Sequence, residues 1–279
     1  MTIIEKARKG IVTNEMKKVA AVEGVTPEFI RNEIAGGRII IPKNKLRKNV
    51  EAGGIGNKLR TKVNANIGTS KDKNSLKLEM KKLRVSLEAG ADAVMDLSTG
   101  GDIRAIRKAI LAECPKPLGT VPIYEMFVTA SAKCGGRLDL DAEYLFEVIE
   151  QQAEDGVDFM TVHCGLTQTA LERIRKTKRL TGIVSRGGAF VAAWMTRTGR
   201  ENPLYENFDR LLKICKKYEV AISLGDGLRP GCLADASDRP MVQEMIILGE
   251  LAQKSLEEGV QTIIEGPGHM PLDEIASNV

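Results

Sequence analysis

The chain has 279 residues, of which 43% are hydrophobic and only 4% aromatic, so aliphatic side chains must fill most of its core. Its net charge of +4 is the small difference between 41 basic and 37 acidic residues spread along the chain, which argues against nucleic-acid binding. No apolar stretch is long enough to cross a membrane, and the N-terminus lacks the apolar core of a secretory signal. We therefore expect a cytoplasmic protein.

Residues 1–60 differ from the rest, and we interpret them as a helical N-terminal extension. Met1 to Val25 predicts one amphipathic helix or two, and Thr26 to Ala35 predicts another short helix with Pro27 just inside its start. A short apolar run and a basic, glycine-rich link follow. The densest basic stretches contain no aromatic residues, and we interpret them as solvated; they are Lys43 to Lys48 and Arg173 to Arg179.

From Lys62 onward, short apolar runs end in polar or glycine-containing segments and alternate with amphipathic stretches of helical length. The alternation predicts parallel strands near residues 62–67, 93–97, 119–123, 159–163, 182–185, 221–225 and 262–265. Helices are predicted near residues 74–89, 102–114, 141–155, 167–177, 202–218 and 239–259.

This pattern predicts an α/β fold of the (β/α)8 barrel type, in a domain that spans residues 61–279. Only about seven strands are present, whereas a closed barrel needs eight. We therefore expect the barrel to be incomplete and the chain to be a fragment. In this fold the active site lies at the carboxyl ends of the strands, so the segments that follow the strands are the candidate site.

Two histidines occur in the whole chain, and both follow predicted strands. His163 and His269 are suited to metal binding, proton transfer or a hydrogen bond to an anion, and the sequence alone does not separate these roles. Glu265 and His269 are four residues apart, but Gly266-Pro267-Gly268 between them cannot be helical. The HExxH pattern of metalloproteases is therefore excluded.

Three of the post-strand segments have the composition of anion-binding loops. Ser185 to Gly188 and Gly225 to Arg229 each combine glycine with arginine, and Ser98 to Gly101 has hydroxyls and glycines without a cation. Backbone N–H groups at the start of a helix, together with an arginine, form a phosphate site. A phosphorylated substrate is the preferred interpretation.

The remaining polar residues of these segments suit a small heterocycle or sugar. They comprise three carboxylates and three neutral hydrogen-bonding groups: Asp96, Asp226, Glu265, Asn64, Asn66 and Tyr124. No GxSxG elbow, GxGxxG turn after the first strand, or GxxxxGK[ST] loop is present. Serine hydrolases, dinucleotide-dependent oxidoreductases and P-loop enzymes therefore lose support.

The motifs NANIGTS, VMDLSTGGDI, GTVPIY, DFMTVHCG, GIVSRGG, ENPLY, SLGDGLRPG and EGPGHMPL occur in this order over essentially the whole chain. Together they resemble the phosphomethylpyrimidine synthase (ThiC) family. The resemblance implies a (β/α)8-barrel radical S-adenosylmethionine enzyme of thiamine biosynthesis, homodimeric at full length. Its expected reaction rearranges 5-aminoimidazole ribonucleotide into 4-amino-5-hydroxymethyl-2-methylpyrimidine phosphate.

The resemblance also implies roles for individual residues. The substrate contacts would be Asn66, Met95, Tyr124, His163, Ser185, Arg186, Gly187, Asp226, Gly227, Leu228, Arg229 and Glu265. His269 would be one of two protein ligands of a metal, usually treated as Zn²⁺. The catalytic groups themselves are not assigned.

Several features that the family carries near its C-terminus do not occur in these 279 residues. They include the second metal-binding histidine, the last barrel strand and the Cys-x-x-Cys-x-x-x-x-Cys motif for the [4Fe-4S] cluster. The five cysteines of this chain, at 114, 134, 164, 215 and 232, are widely spaced. Because such a cluster needs three thiolates, we expect the chain alone to be inactive in the radical reaction.

Two alternatives stay open. A related branch, 5-hydroxybenzimidazole synthase, acts on the same ribonucleotide to make a cobalamin lower-ligand precursor. Glu125-Met126-Phe127 and Met270 differ from the forms expected in the pyrimidine branch. The chain could also be an inactive barrel that only binds a nucleotide.

Overall fold

The structure of the protein is a computed structural model that describes residues 1–133, 142–266 and 268–278. Three short helices open the chain, each after a threonine whose side-chain oxygen accepts a backbone N–H of the first turn. They are α1 (Ile3–Arg8), α2 (Asn14–Glu23) and α3 (Pro27–Ala35). The first 25 residues thus form two helices, and the helix predicted at Thr26 to Ala35 is confirmed.

The extension continues into a short antiparallel pair, β1 (Ile39–Ile40) and β2 (Ile55–Gly56). Most of its buried apolar side chains form a hydrophobic cluster of their own, whereas Ile40 and Ile55 pack in the cluster around the main sheet. Gln261 joins the extension to the main sheet, because its side-chain amide accepts from the Ile41 backbone N–H at 2.7 Å and donates to the Ile41 carbonyl at 3.1 Å.

The main sheet has six strands, all parallel and hydrogen-bonded in chain order. They are β3 (Asn64–Ile67), β4 (Ala93–Asp96), β5 (Leu118–Thr120), β6 (Phe159–Val162), β7 (Ala221–Leu224) and β8 (Thr262–Ile264). Six of the predicted strand positions are confirmed. Within the described ranges the sheet is open, with β3 and β8 at its edges, and does not close into a barrel.

The strand predicted at 182–185 is wrong. β6 and β7 are paired directly with each other, which leaves no place between them for another strand. The segment is instead held by side chains: the Asp235 carboxylate accepts from the backbone N–H groups of Leu180 (2.9 Å) and Thr181 (3.1 Å). Gly182 has a φ of +63°, a left-handed conformation that interrupts an extended run.

Helices connect the strands. They are α4 (Leu76–Glu88), α5 (Ile103–Glu113), α6 (Pro122–Lys133), α7 (Ala142–Asp155), α8 (Gln168–Lys176), α9 (Arg186–Thr198), α10 (Pro203–Glu206), α11 (Phe208–Tyr218), α12 (Arg239–Glu257) and α13 (Ile275–Asn278). All six predicted helical regions are helical, although the one at 202–218 is divided in two at Asn207. α6 and α9 were not predicted. No helix in the described part is long and apolar enough to cross a membrane.

A buried ion pair fixes the extension beneath the sheet. The Arg47 guanidinium donates from Nη1 to Asp158 Oδ2 at 2.9 Å, with both side chains almost completely buried. Asp158 precedes β6, and its carboxylate also accepts from the backbone N–H groups of Leu118 and Asn44. The interpretation of Lys43 to Lys48 as solvated is therefore wrong at Arg47, whose charge is matched by a distant carboxylate.

Candidate active site at the carboxyl ends of the strands

The parallel pairing brings the carboxyl ends of all six strands to one edge of the sheet. Most of the predicted site residues lie at or just after these strand ends. Asn66 and Met95 lie opposite each other in the register of β3 and β4. His163 directly follows β6, the Asp226–Arg229 loop follows β7, and Glu265 follows β8.

The two arginine-containing loops touch each other. A Cβ added to Gly188 would lie 2.1 Å from the Gly227 carbonyl oxygen, and one added to Gly187 would lie 2.1 Å from His163 Cε1. Only glycine allows such close approach. The start of α9, the Asp226–Arg229 loop and the His163 ring are therefore packed into one assembly.

The start of α9 provides backbone donors to this assembly. Ser185 is the N-cap residue, and its side-chain oxygen accepts from the Gly188 N–H at 3.1 Å. The N–H groups of Arg186 and Gly187, in the first turn, have no partner in the described part of the chain. Together with the positive end of the helix dipole, they form a site for an anion.

In contrast, the Asp226–Arg229 loop has no free backbone donor. Its four N–H groups donate, in chain order, to Glu265 Oε2, the Gly225 carbonyl, Glu244 Oε2 and the Asp226 carbonyl. The predicted anion-binding role of this loop must therefore come from the Arg229 guanidinium. The backbone N–H groups without a partner belong to α9.

The third predicted anion-binding loop, Ser98 to Gly101, is hydrogen-bonded to the neighbouring segment at Thr69. The Thr69 hydroxyl donates to the Gly100 carbonyl at 2.6 Å and accepts from the Gly100 N–H at 3.3 Å. A Cβ on Gly100 would lie 2.2 Å from the Ser70 carbonyl oxygen. Ser98 Oγ and its N–H both donate to the Asp96 carboxylate. These polar groups are therefore used within the fold.

His163 lies at the centre of the site and is 3% exposed. Burial, assisted by the positive charge of Arg229, lowers the pKa of His163 to about 4, so the imidazole is neutral at neutral pH. Its Nδ1 has no hydrogen-bond partner among the described residues. An unpartnered buried nitrogen is costly unless a ligand or water completes it.

Two carboxylates flank Arg229. Asp226 Oδ1 accepts from Arg229 Nη1 at 2.8 Å, and Glu265 Oε2 accepts from the Asp226 N–H at 3.2 Å. Burial raises the pKa of Glu265, and the nearby negative charge of Asp226 adds to the effect. Burial also raises the pKa of Asp226, against the opposing attraction of Arg229. The pair can therefore share a proton near neutral pH.

Tyr124 and Arg186 contact each other in another part of the site. The Arg186 guanidinium lies 5.1 Å from the Tyr124 ring centroid, and Phe190 meets the same ring edge-on at 6.2 Å. Burial raises the pKa of Tyr124, so its hydroxyl stays protonated. Asn66 is exposed at the rim, where its Oδ1 accepts from Asn64 Nδ2, and Met95 is 8% exposed.

Comparison with known proteins shows the family to which the chain belongs. The profile of the radical SAM ThiC family matches residues 2–279. This chain belongs to the radical SAM ThiC family.

Named relatives in this family are closely similar over the whole chain. The phosphomethylpyrimidine synthase of Desulforamulus reducens is 57% identical over 279 residues, which are 100% of this chain and 65% of that protein. Those of Dehalococcoides mccartyi strain BAV1 and Moorella thermoacetica are 56% and 54% identical, with the same coverage. The chain thus spans about 65% of the length of these ThiC-family relatives.

Three residues that support the ThiC-family site were not singled out from the sequence. Asn202, fully buried, donates from Nδ2 to the His163 carbonyl at 2.8 Å and so holds the histidine's backbone. Glu244 of α12 and Arg179 both contact the Asp226–Arg229 loop. The sequence could have indicated Asn202, since Asn followed by Pro is typical of a helix start. Nothing in the local sequence pattern indicates Glu244 or Arg179.

Arg179 corrects the interpretation of Arg173 to Arg179 as solvated. Its side chain is 1% exposed and pairs with Asp238, Nε to Oδ2 at 2.6 Å and Nη2 to Oδ1 at 2.7 Å. The compensating carboxylate lies 59 residues away in the sequence. Composition alone could not reveal it.

Glu125, one of the residues that differ from the expected pyrimidine-branch form, is turned into the core. Its carboxylate accepts from Arg107 Nη1 and from Gln152 Nε2, both at 2.6 Å. Arg107 in turn donates to Asp155 at 2.8 Å. The residue at 125 therefore belongs to a buried network behind Tyr124.

The Zn²⁺ ion and the [4Fe-4S] cluster expected from the sequence each need several ligand side chains close together. His269 is exposed, and among the described residues no group of three or more His, Cys, Asp or Glu side chains is placed to hold a metal ion. Cys114, Cys164 and Cys215 are buried, and Cys134 lies outside the described residues. The described part of the chain therefore does not by itself form a zinc or [4Fe-4S] site.

Proposed function

We propose that this chain provides the ribonucleotide-binding part of a phosphomethylpyrimidine synthase in thiamine biosynthesis. The substrate is 5-aminoimidazole ribonucleotide, and the product is 4-amino-5-hydroxymethyl-2-methylpyrimidine phosphate. Membership of the radical SAM ThiC family and the names of its relatives support the reaction class. The single observation that supports the substrate class is the free start of α9 beside Arg229 and His163.

The phosphate of the substrate occupies the start of α9. The N–H groups of Arg186 and Gly187 and the dipole of the helix attract it, and the Arg229 guanidinium completes the site from the neighbouring loop. Ser185 holds the first turn of the helix in place through its bond to Gly188. Phosphate binding would release Arg229 in part from Asp226.

The aminoimidazole and ribose lie toward the carboxylates. Asp226 and Glu265 accept hydrogen bonds from amino or hydroxyl groups, and the proton shared by this pair lets one of them also donate. The neutral His163 imidazole offers its unpartnered Nδ1. Tyr124, Asn66, Met95, Gly227 and Leu228 shape the remaining wall.

The family's [4Fe-4S] cluster and S-adenosylmethionine supply radical chemistry when bound, and a Zn²⁺ ion would use His269 as one ligand. Since the described residues do not complete either site, this chain's own contribution is to bind and orient the ribonucleotide. We propose further that the six-stranded sheet is part of a (β/α)8 barrel over residues 61–279, with residues 1–60 as an extension, in a cytoplasmic homodimer.

The benzimidazole-forming alternative gains no support from Glu125, because that carboxylate bonds inside the core. The pyrimidine product remains the proposal.

Calorimetric titration of the chain under anaerobic conditions tests the proposal. One series uses 5-aminoimidazole ribonucleotide, and the other uses the riboside that lacks the phosphate. A charge-assisted phosphate site predicts that the ribonucleotide binds about tenfold or more tightly than the riboside. Equal affinities, or no binding of either ligand, would refute the assignment of the site.

A further inference from the structure

Leu228 lies in the Asp226–Arg229 loop, and both polar groups of its backbone are hydrogen-bonded to side chains. Its N–H donates to Glu244 Oε2 at 2.6 Å, and its carbonyl accepts from Arg179 Nη2 at 2.6 Å. Both partners come from outside the loop, Glu244 from α12 and Arg179 from the segment after α8. All three side chains are almost completely buried.

Arg179 links the Leu228 backbone to the segment that precedes α9. Its Nη1 donates to the Gly182 carbonyl at 3.1 Å, in the segment that leads to Ser185 and the start of α9. Its pairing with Asp238, the N-cap residue of α12, fixes the guanidinium plane. One side chain therefore sets the spacing between the Asp226–Arg229 loop and the helix that offers its backbone N–H groups.

Glu244 has a second oxygen that the fold leaves unused. Oε1 has no partner in the described part of the chain, and a Cβ on Gly227 would lie 2.9 Å from it. The charged groups around Glu244 are Asp226 and Arg179, and the neutral His163 ring also lies beside Gly227. Burial, with a contribution from Asp226, raises the pKa of Glu244 to about 8.

A neutral carboxylic acid is well suited to this position. It accepts the Leu228 N–H without placing a negative charge behind a loop that faces an anion. A carboxylate in the same place would repel the phosphate and would be buried without a full counter-charge. The hydrogen bond to Leu228 requires only an acceptor oxygen, which an amide also provides.

We infer that Glu244 and Arg179 are positioning residues, which hold the Leu228 peptide so that the Arg229 guanidinium meets the substrate phosphate at the start of α9. Neither residue contacts the substrate itself. This inference rests on the proposed ribonucleotide-binding function and specifies what aligns its phosphate site. It predicts that both residues govern the part of the affinity that depends on the phosphate.

The test compares four variants of the chain in calorimetric titrations with 5-aminoimidazole ribonucleotide and its riboside at pH 7. Glu244→Met removes the acceptor at similar size, Glu244→Gln keeps it, and Arg179→Lys keeps the charge beside Asp238 but loses the fork to Leu228. Glu250→Gln, on an exposed position of α12, is the matched control.

We expect Glu244→Met and Arg179→Lys to reduce the preference for ribonucleotide over riboside about tenfold, with riboside affinity unchanged within about twofold. Glu244→Gln and Glu250→Gln should keep the wild-type preference. The inference is overturned if the Met variant keeps that preference, if the Gln variant loses as much as the Met variant, or if both ligands weaken equally. Should the Met variant not fold, an unchanged preference in Arg179→Lys overturns it alone. A wild-type chain without any preference refutes the proposed function instead.

Discussion

The buried groups around Arg229 leave its positive charge available to an anion. His163 is neutral because burial lowers its pKa to about 4, and burial together with mutual repulsion favours a shared proton on Asp226 and Glu265. Arg229 stays charged, and its side chain is 35% exposed toward the mouth. At the level of residues, the site therefore offers the guanidinium groups of Arg229 and Arg186 to an anion, beside buried groups with reduced charge.

Arg229→Ala should weaken binding of 5-aminoimidazole ribonucleotide by about 10- to 100-fold, because a charge-assisted hydrogen bond contributes about 1.5 to 3 kcal/mol. Calorimetry on the chain measures the change. Arg197→Ala, an exposed arginine of α9, serves as the control and should leave affinity unchanged. Unchanged affinity in the Arg229 variant would remove this residue from the phosphate site.

Glu244 should also make stability depend on pH. Its pKa rises from 4.5 to about 8 on folding, so the folded chain binds the proton more tightly than the unfolded chain. The stabilisation is complete below about pH 4.5 and is lost as the pH rises to about 8. Urea unfolding at pH 5 and pH 8 should therefore show wild type losing more stability over this interval than Glu244→Gln. Parallel losses would show that Glu244 is already ionised in the folded chain.

At the level of elements, strands were easier to predict than the segments that build the site. Buried parallel strands are short runs of aliphatic residues, as in β4, β6 and β7, and such runs are visible in the sequence. The run at 182–185 looks the same, but it pairs with no strand in the described part of the chain, because β6 and β7 are already paired with each other. The segment instead leads into Ser185, the N-cap residue of α9.

The helices α6 and α9 were missed for a related reason. α6 begins at Pro122, two residues after β5 ends, so no turn residues separate strand from helix. α9 begins with Arg-Gly-Gly, a poor helix-forming sequence, which is retained where two loops and His163 approach closely. The close packing that requires glycine therefore hid the helix on which the proposed phosphate site depends.

Buried charged residues were also not predicted from the sequence, because their partners are remote in the chain. Arg47 is paired with Asp158, 111 residues away. Removing one partner of a buried pair leaves an uncompensated charge, so Arg47→Met should lower the free energy of unfolding by about 3 to 5 kcal/mol at pH 7. Chemical denaturation measures this loss, with Lys48→Ala as the exposed control.

The same variant has a diagnostic pH dependence. Burial already raises the pKa of Asp158 to about 6, and loss of Arg47 raises it further. Protonation then relieves the penalty, so the deficit of Arg47→Met should shrink as the pH is lowered from 7 to 5. A loss of stability that is the same at both values would mean that packing rather than charge is responsible.

At the level of the whole molecule, the described fold presents the proposed ribonucleotide site on an open sheet. The cysteines are dispersed: Cys114, Cys164 and Cys215 are buried, and burial raises the pKa of each thiol. Protonated, separated thiols are poor iron ligands. Anaerobic iron-sulfur reconstitution of this chain should therefore give well under one [4Fe-4S] cluster per chain, measured as iron and sulfide. Stoichiometric cluster would show that the cysteines rearrange to bind it.

The central claim is that one substrate phosphate lies between the start of α9 and Arg229. The most direct measurement is a crystal structure of the chain with 5-aminoimidazole ribonucleotide bound. We predict phosphate oxygens within hydrogen-bond distance of the Gly187 N–H and the Arg229 guanidinium, with the imidazole toward Asp226 and Glu265. A phosphate bound elsewhere, such as at the Ser98–Gly101 loop, would contradict this account.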